Sequence, residues 1–428
     1  MHKLNLSKHK LLAPLYLWIL YSVATIVIFE FGPLQFPVQN KLHLYLYLFG
    51  AHISIIWGYH SGFKKFRNIK EEKVKSKFIS KKVLNVIAFI VFLGVIIAFA
   101  RDYLTGMSLS SSLEDSFGAR EAYTKIRSGG ILGYLEVLFR LGTVPYLAIG
   151  IINFKSLNKF SSFVLFLLIF RVIYEAILGS SRSGLLMLIT VIFFSLAAIK
   201  FNNSIKISFK KLLLIATIVL TLFASYVSYI SAYRQVKSIE NYEVYMSQNS
   251  KYTYDADSIF NPKFSGDYKL LNTGIYTGYF YLVHGYKGLS EAINTPFLGT
   301  TLFFGHSDFS IRNLARLFGE DVLNYSYFHR LVNESIYPAT NFITAYAWIA
   351  SDTTFIGSFF LLYFFGSLFS KSWIMVLKSP TIASSALLAW MAFFFFQINM
   401  TFVATDLGAF FSFWGTILLY KFKLKTHG

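Results

Sequence analysis

The chain contains no cysteine among its 428 residues. Disulfides, thiol nucleophiles and cysteine-ligated metals are therefore excluded, while the compartment stays open. Charge is scarce too, at 14% of residues, and leans to one sign, with 40 Lys and Arg against 21 Asp and Glu. No phosphate-binding loop of the G-x-x-x-x-G-K type and no serine nucleophile elbow occurs, which speaks against ATP-driven transport by this chain alone.

Hydrophobicity is what the chain has in excess. It accounts for 55% of residues and a mean hydropathy of +0.52, a balance that soluble domains do not reach. Apolar stretches of roughly 20 residues, the length of a bilayer-crossing helix, recur along almost the whole chain. Because they are continuous rather than alternating, a β-barrel is excluded. The expected fold is an all-α polytopic membrane protein with ten helices at 11–31, 42–59, 83–100, 131–152, 160–178, 184–199, 212–230, 353–370, 381–398 and 402–420. The alternative of twelve adds residues within 270–293 and about 335–350. No cleavable signal peptide is evident, so the first helix is expected to stay as an anchor.

The net charge of +19 would suggest nucleic acid in a soluble protein, but its distribution makes it a topology signal. With both termini cytoplasmic, the inner segments carry 23 Lys or Arg, nine of them between Lys64 and Lys82, against only Glu71 and Glu72. This basic charge meets anionic lipid headgroups at most, and no nucleic acid is implied. The domains expected are an N-terminal bundle of seven helices (1–230), a large outer loop (231–352) and a C-terminal bundle of three helices (353–428). Within the loop, LLNTGIYTGYFYLVHGYKGLSEAI is rich in Tyr and Gly and carries His and Lys. It is expected to form an amphipathic helix at the interface rather than a span.

Six ionisable residues fall inside the expected spans: Glu30, Glu136, Arg140, Arg171, Glu175 and Asp406. In the derived orientation all lie from mid-membrane to the outer end. Intramembrane charges usually face a polar cavity or a partner, so this clustering suggests a cavity opening outward. Glu136 and Arg140, and likewise Arg171 and Glu175, are spaced to pair along one helix face or to lend their arginines to an anion. Arg182, in LGSSRSGLL, has no such local acid and precedes a helix N-terminus among small residues, which makes it the best anion-binding candidate.

The outer loop adds Arg234, Arg312, Arg316, His284, His306, Asp308, His329, Arg330, Glu334 and Asp352. Guanidinium forks suit diphosphates, and a His or carboxylate near them could act as a general base. Asp255-x-Asp257 has a spacing some nucleotide-sugar enzymes use for metal, but it lies on the wrong side for such substrates and reads as a solvated loop. GHSD lacks a second His at helical spacing to complete a metal site. No metal or other cofactor is expected.

LVHGYKGLSEAI, GHSDFSIRN and YPATNFITAYAWIASDTTFIGSFFLLYFFG together resemble the outer loop and following helix of bacterial O-antigen (Wzy-type) and capsular repeat-unit polymerases. LGSSRSGLLMLI resembles the Arg-containing turn of the same families, which are related to O-antigen ligases. The resemblance implies a GT-C-like, metal-independent membrane glycosyltransferase at the outer face of the inner membrane. It would polymerise undecaprenyl-diphosphate-linked oligosaccharides, with a flippase and a chain-length regulator as partners. Arg182, with Arg140, Arg171, Arg234 or Arg312, would hold the diphosphate. His284, or else His306, Asp308 or Glu334, would take the acceptor proton. An O-antigen ligase, or from another class a lipid-linked oligosaccharide flippase, are the competing readings. A transporter would be expected to show internal repeats and polar residues in both membrane halves, and neither is found.

Overall fold

The computed structural model describes residues 7–67, 81–106, 135, 141–178, 183–201, 221, 225–226, 252–255, 257–265, 269–301, 303–337, 343–404 and 407–425. Its principal helices are α1 (Lys8–Phe31), α2 (Lys41–Phe66), α3 (Lys81–Leu104), α4 (Thr143–Ile152), α5 (Lys159–Leu178), α6 (Ser183–Phe201), α7 (Lys269–Ile293), α8 (Asp308–Phe318), α9 (Tyr327–Asn333), α10 (Ala345–Lys378), α11 (Ile382–Gln397) and α12 (Leu407–Lys425). The sheet among these residues is one antiparallel pair of two-residue strands, β1 (Leu34–Gln35) and β2 (Thr253–Tyr254). Among the described residues, five helices are long and apolar enough to cross a membrane: α1, α3, α5, α6 and α10. α4, α11 and the stretch Leu407–Tyr420 of α12 are shorter apolar helices. The expected span at 212–230 lies outside the described residues, apart from helical positions at Thr221, Ser225 and Tyr226.

Local sequence sets the helix ends. Asn40 caps α2 by accepting from the His43 N–H at 3.2 Å, and Thr381 and Ser384 form a reciprocal capping box on α11. Ser307 caps α8, whose first turn carries Asp308 against the positive end of the helix dipole.

The spine of the bundle is the parallel pair α2 and α10, along which Tyr47 meets Ser358 near one end and Lys378 meets Arg67 at the other. The chains approach so closely that a Cβ on Gly58 would lie 1.9 Å from the Tyr363 carbonyl oxygen, and one on Gly366 would lie 2.4 Å from that of Ile55. Glycine is required at both positions, as in other close helix contacts within membranes. Tyr59 donates to the Leu11 carbonyl, Trp373 to that of Lys10, and Lys378 to that of Arg67. The start of α1 and the ends of α2 and α10 therefore share one end of the bundle, the basic end. At the other, the loop end, Ser258 donates to the Phe31 carbonyl and β2 pairs with β1. α3 and α5 run parallel to each other, with Ser161 donating to Asn85 near the basic end. A shared core of rings from Phe365, Phe394, Phe402, Phe413 and Trp414 joins α10, α11 and α12.

Several elements differ from the sequence expectation. The tyrosine-rich segment is a helix, α7, but residues 283–290 are buried throughout rather than lying half in an interface. Tyr286 and Thr25 share a 2.9 Å hydroxyl contact, Asn399 donates to Thr25 at 3.0 Å, and a Cβ on Gly285 would meet the Asn399 carbonyl oxygen at 2.3 Å. Polar groups thus clamp α7 into the bundle, which composition alone does not reveal. α10 begins at Ala345, within the expected outer loop, and consists of two helical halves that meet next to the expected boundary between residues 352 and 353. It kinks at Thr354 (φ 68°, ψ 167°), where the Thr354 hydroxyl accepts from the Gly357 N–H and caps the second half.

Candidate functional site

The first cluster lies in the loop-end half of α3 and α5. α3 runs past the expected end at residue 100, so Arg101 and Asp102 are buried helix residues rather than loop residues. Arg101 Nη2 and Nε donate to Asp102 Oδ1 at 2.5 and 2.9 Å, and Arg171 Nη1 lies 2.8 Å from Asp102 Oδ2. Arg171 therefore pairs with Asp102 on the neighbouring helix instead of with Glu175 on its own. That pair is close but poorly aligned, and Nε, Nη1 and Nη2 of the buried Arg171 make no hydrogen bond among the described residues. The guanidinium also packs on Phe99 and Tyr174, 5.1 and 5.6 Å from the ring centres.

Arg171 thus carries unspent donors in a water-poor setting. Such a group can accept an anion at small desolvation cost, because folding has already removed most of its water. Arg182, Arg140 and Arg234 lie outside the described residues, as do Glu136 and Asp406. Glu30 is paired with Lys41 at 3.1 Å and also accepts from Tyr45.

The second cluster gathers at the loop end around α8, α9 and the start of α10. Asp352 accepts from the Gly305 and His306 N–H groups at 2.8 and 3.1 Å, from the Thr301 hydroxyl, and from His306 Nδ1 at 2.7 Å. Trp414 Nε1 donates to His306 Nε2 at 2.9 Å. Both ring nitrogens of His306 are therefore engaged, which leaves it a brace between α8, α10 and α12 rather than a ready proton acceptor.

Asp308 receives Arg312 Nε on both oxygens, at 2.9 and 3.0 Å, and His329 Nε2 on Oδ1 at 2.9 Å. Burial pushes the Asp308 carboxyl up, but hydrogen bonding from His329 and the charge of Arg312 outweigh it and hold the group below its ordinary value. Arg312 is thereby committed to a carboxylate on its own helix. His284 is buried and stacks on Phe280 at 4.3 Å; its Nδ1–H donates to the Phe280 carbonyl, which places the ring lone pair on Nε2. Glu334, at the C-terminal end of α9, is exposed.

The arrangement brings His306, Asp308 and Arg312 together at α8, with His329 of α9 and Asp352 of α10. Arg171 belongs to the other cluster. Asp255 accepts from the Asp257 N–H at 3.0 Å, closing a turn. Sequence reasoning missed Arg101 and Asp102; charged residues directly following the apolar run of α3 were the available signal.

Apolar helices in series, almost no sheet and buried charge between helices define an all-helical, multi-pass membrane protein. No protein family, curated protein or solved structure matches the chain.

Proposed function

We propose that the protein polymerises lipid-diphosphate-linked oligosaccharide repeat units, with the loop end facing away from the cytoplasm. The observation that carries the reading is Arg171, a buried guanidinium with unspent donors in the loop-end half of the bundle. Shortly after the end of its helix at Leu178 comes Arg182, the anion candidate of the sequence. Together they would stabilise the departing lipid diphosphate where negative charge develops, leaving the glycan free to be taken by the acceptor.

Glu334 is the base this reading favours, because it is an exposed carboxylate, whereas His306 is engaged on both nitrogens and Asp308 is held by Arg312 and His329. It would take the proton of the acceptor hydroxyl as the glycosidic bond forms.

The test is polymer analysis in a strain dependent on this protein. Arg171→Ala and Arg182→Ala are each expected to lower polymer output about 100- to 1,000-fold, the scale of losing one charge-stabilising donor, while single capped repeat units and membrane protein levels persist. Polymer of ordinary length and amount in both variants would overturn the proposal. Accumulated polymer still on its lipid diphosphate in the deletion strain would instead identify a ligase.

A further inference from the structure

α2 turns one face to α10 and the other outward. On the outward face an exposed apolar stripe runs from Leu42 through Phe49 and Ile53 to Trp57, at helical spacing. α2 lies along α10, a helix apolar and long enough to cross a membrane, so the stripe occupies the same depth as that candidate span.

At Trp57 the same face becomes polar. Trp57, His60, Ser61, Lys64 and Lys65 line a groove of about 470 Å³ at the basic end. Trp57 packs edge-on against Tyr363 of α10 at 6.0 Å, which orients the indole at the head of the stripe. The ion pairs among the described residues use other cations, so neither lysine is neutralised by an acid there.

We infer that this groove binds one anionic phospholipid, with its phosphate between Lys64 and Lys65 and an acyl chain along Ile53 and Phe49. Tryptophan is favoured at headgroup depth, and lysine stems can lie on apolar surface while their ammonium groups reach the phosphate. The apolar stripe running into the groove is what selects a lipid over a free phosphate, since only a lipid fills both parts. The site stands apart from both the arginine and the histidine clusters and does not depend on the proposed transfer reaction.

The full-length protein is reconstituted in phosphatidylcholine vesicles containing equal fractions of either brominated phosphatidylglycerol or brominated phosphatidylcholine. The share of tryptophan emission lost in Trp57→Phe isolates the Trp57 signal. That signal is expected to be quenched preferentially by the anionic lipid. The double variant Lys64→Gln/Lys65→Gln should lower the preference about 25-fold, from roughly fivefold per lysine. Millimolar inorganic phosphate should leave the quenching unchanged. Equal quenching by the two lipids, an undiminished preference in the double variant, or displacement by phosphate would each overturn the inference.

Discussion

His306 and Asp352 are joined twice, through Nδ1 of the imidazole at 2.7 Å and through the His306 backbone N–H at 3.1 Å, both to Asp352 Oδ2. With Gly305 donating to the other oxygen, the carboxylate fastens the segment before α8 to the first half of the kinked α10. Asp352→Ala should therefore cost about 3–5 kcal/mol, the scale for stranding buried partners. Trp414→Phe should cost about 1 kcal/mol, because it removes a single donor from His306 Nε2. Thermal unfolding in detergent measures both, and equal losses would show that the carboxylate is not the centre of this knot.

Asp102 stands between Arg101 and Arg171. Asp102→Ala is expected to destabilise the protein by about 3–5 kcal/mol, since it leaves buried guanidinium groups without their carboxylate. Adding Arg171→Met should recover part of that loss, because it removes the guanidinium that lost its carboxylate. A double-mutant cycle reads the coupling, and strict additivity would show that the two residues do not interact.

Gly58 tests the helix spine. Gly58→Ala would drive a methyl group into the Tyr363 carbonyl and should sharply reduce the amount of folded protein recovered from membranes. Gly278→Ala, in α7 with nothing within 4 Å of the added carbon, should be neutral or stabilising by up to about 1 kcal/mol. Comparable recovery of the two variants would contradict the close contact of α2 with α10.

Asp308 provides a pH test. Its folded carboxyl lies below its ordinary value of 3.8, so its contribution is fully present above that value and is lost as pH falls through the lower, folded one. The melting temperature of the wild type should thus fall more steeply with acid below about pH 4 than that of Asp308→Asn. Parallel acid limbs would argue against the His329 and Arg312 contacts.

The membrane class was legible because about twenty consecutive apolar residues have no stable alternative to a helix once water is absent. The ends of α1, α5 and α6 follow the apolar runs closely for the same reason. Arg171 stood out in the sequence as a charge inside an apolar span, where burial needs a cause, and His306, Asp308, Arg312 and Asp352 as titratable or charged groups of the outer loop. Their partners were not legible. Helical spacing offered Glu175 to Arg171, but the packing of α5 on α3 delivered Asp102, from a helix far earlier in the chain. His306 had the chemistry of a base, yet the fold brought Asp352 and Trp414 to its two nitrogens.

Sequence by itself determined the solvent this chain folds in, its helical class and the excess of cationic charge in the segments between its helices. Only the tertiary structure decided that α7 enters the bundle, that Arg171 keeps unspent donors, and which histidine is a brace. The physical reason is range: hydropathy and capping act within a few residues, whereas ion pairs and desolvation depend on which distant helices are pressed together.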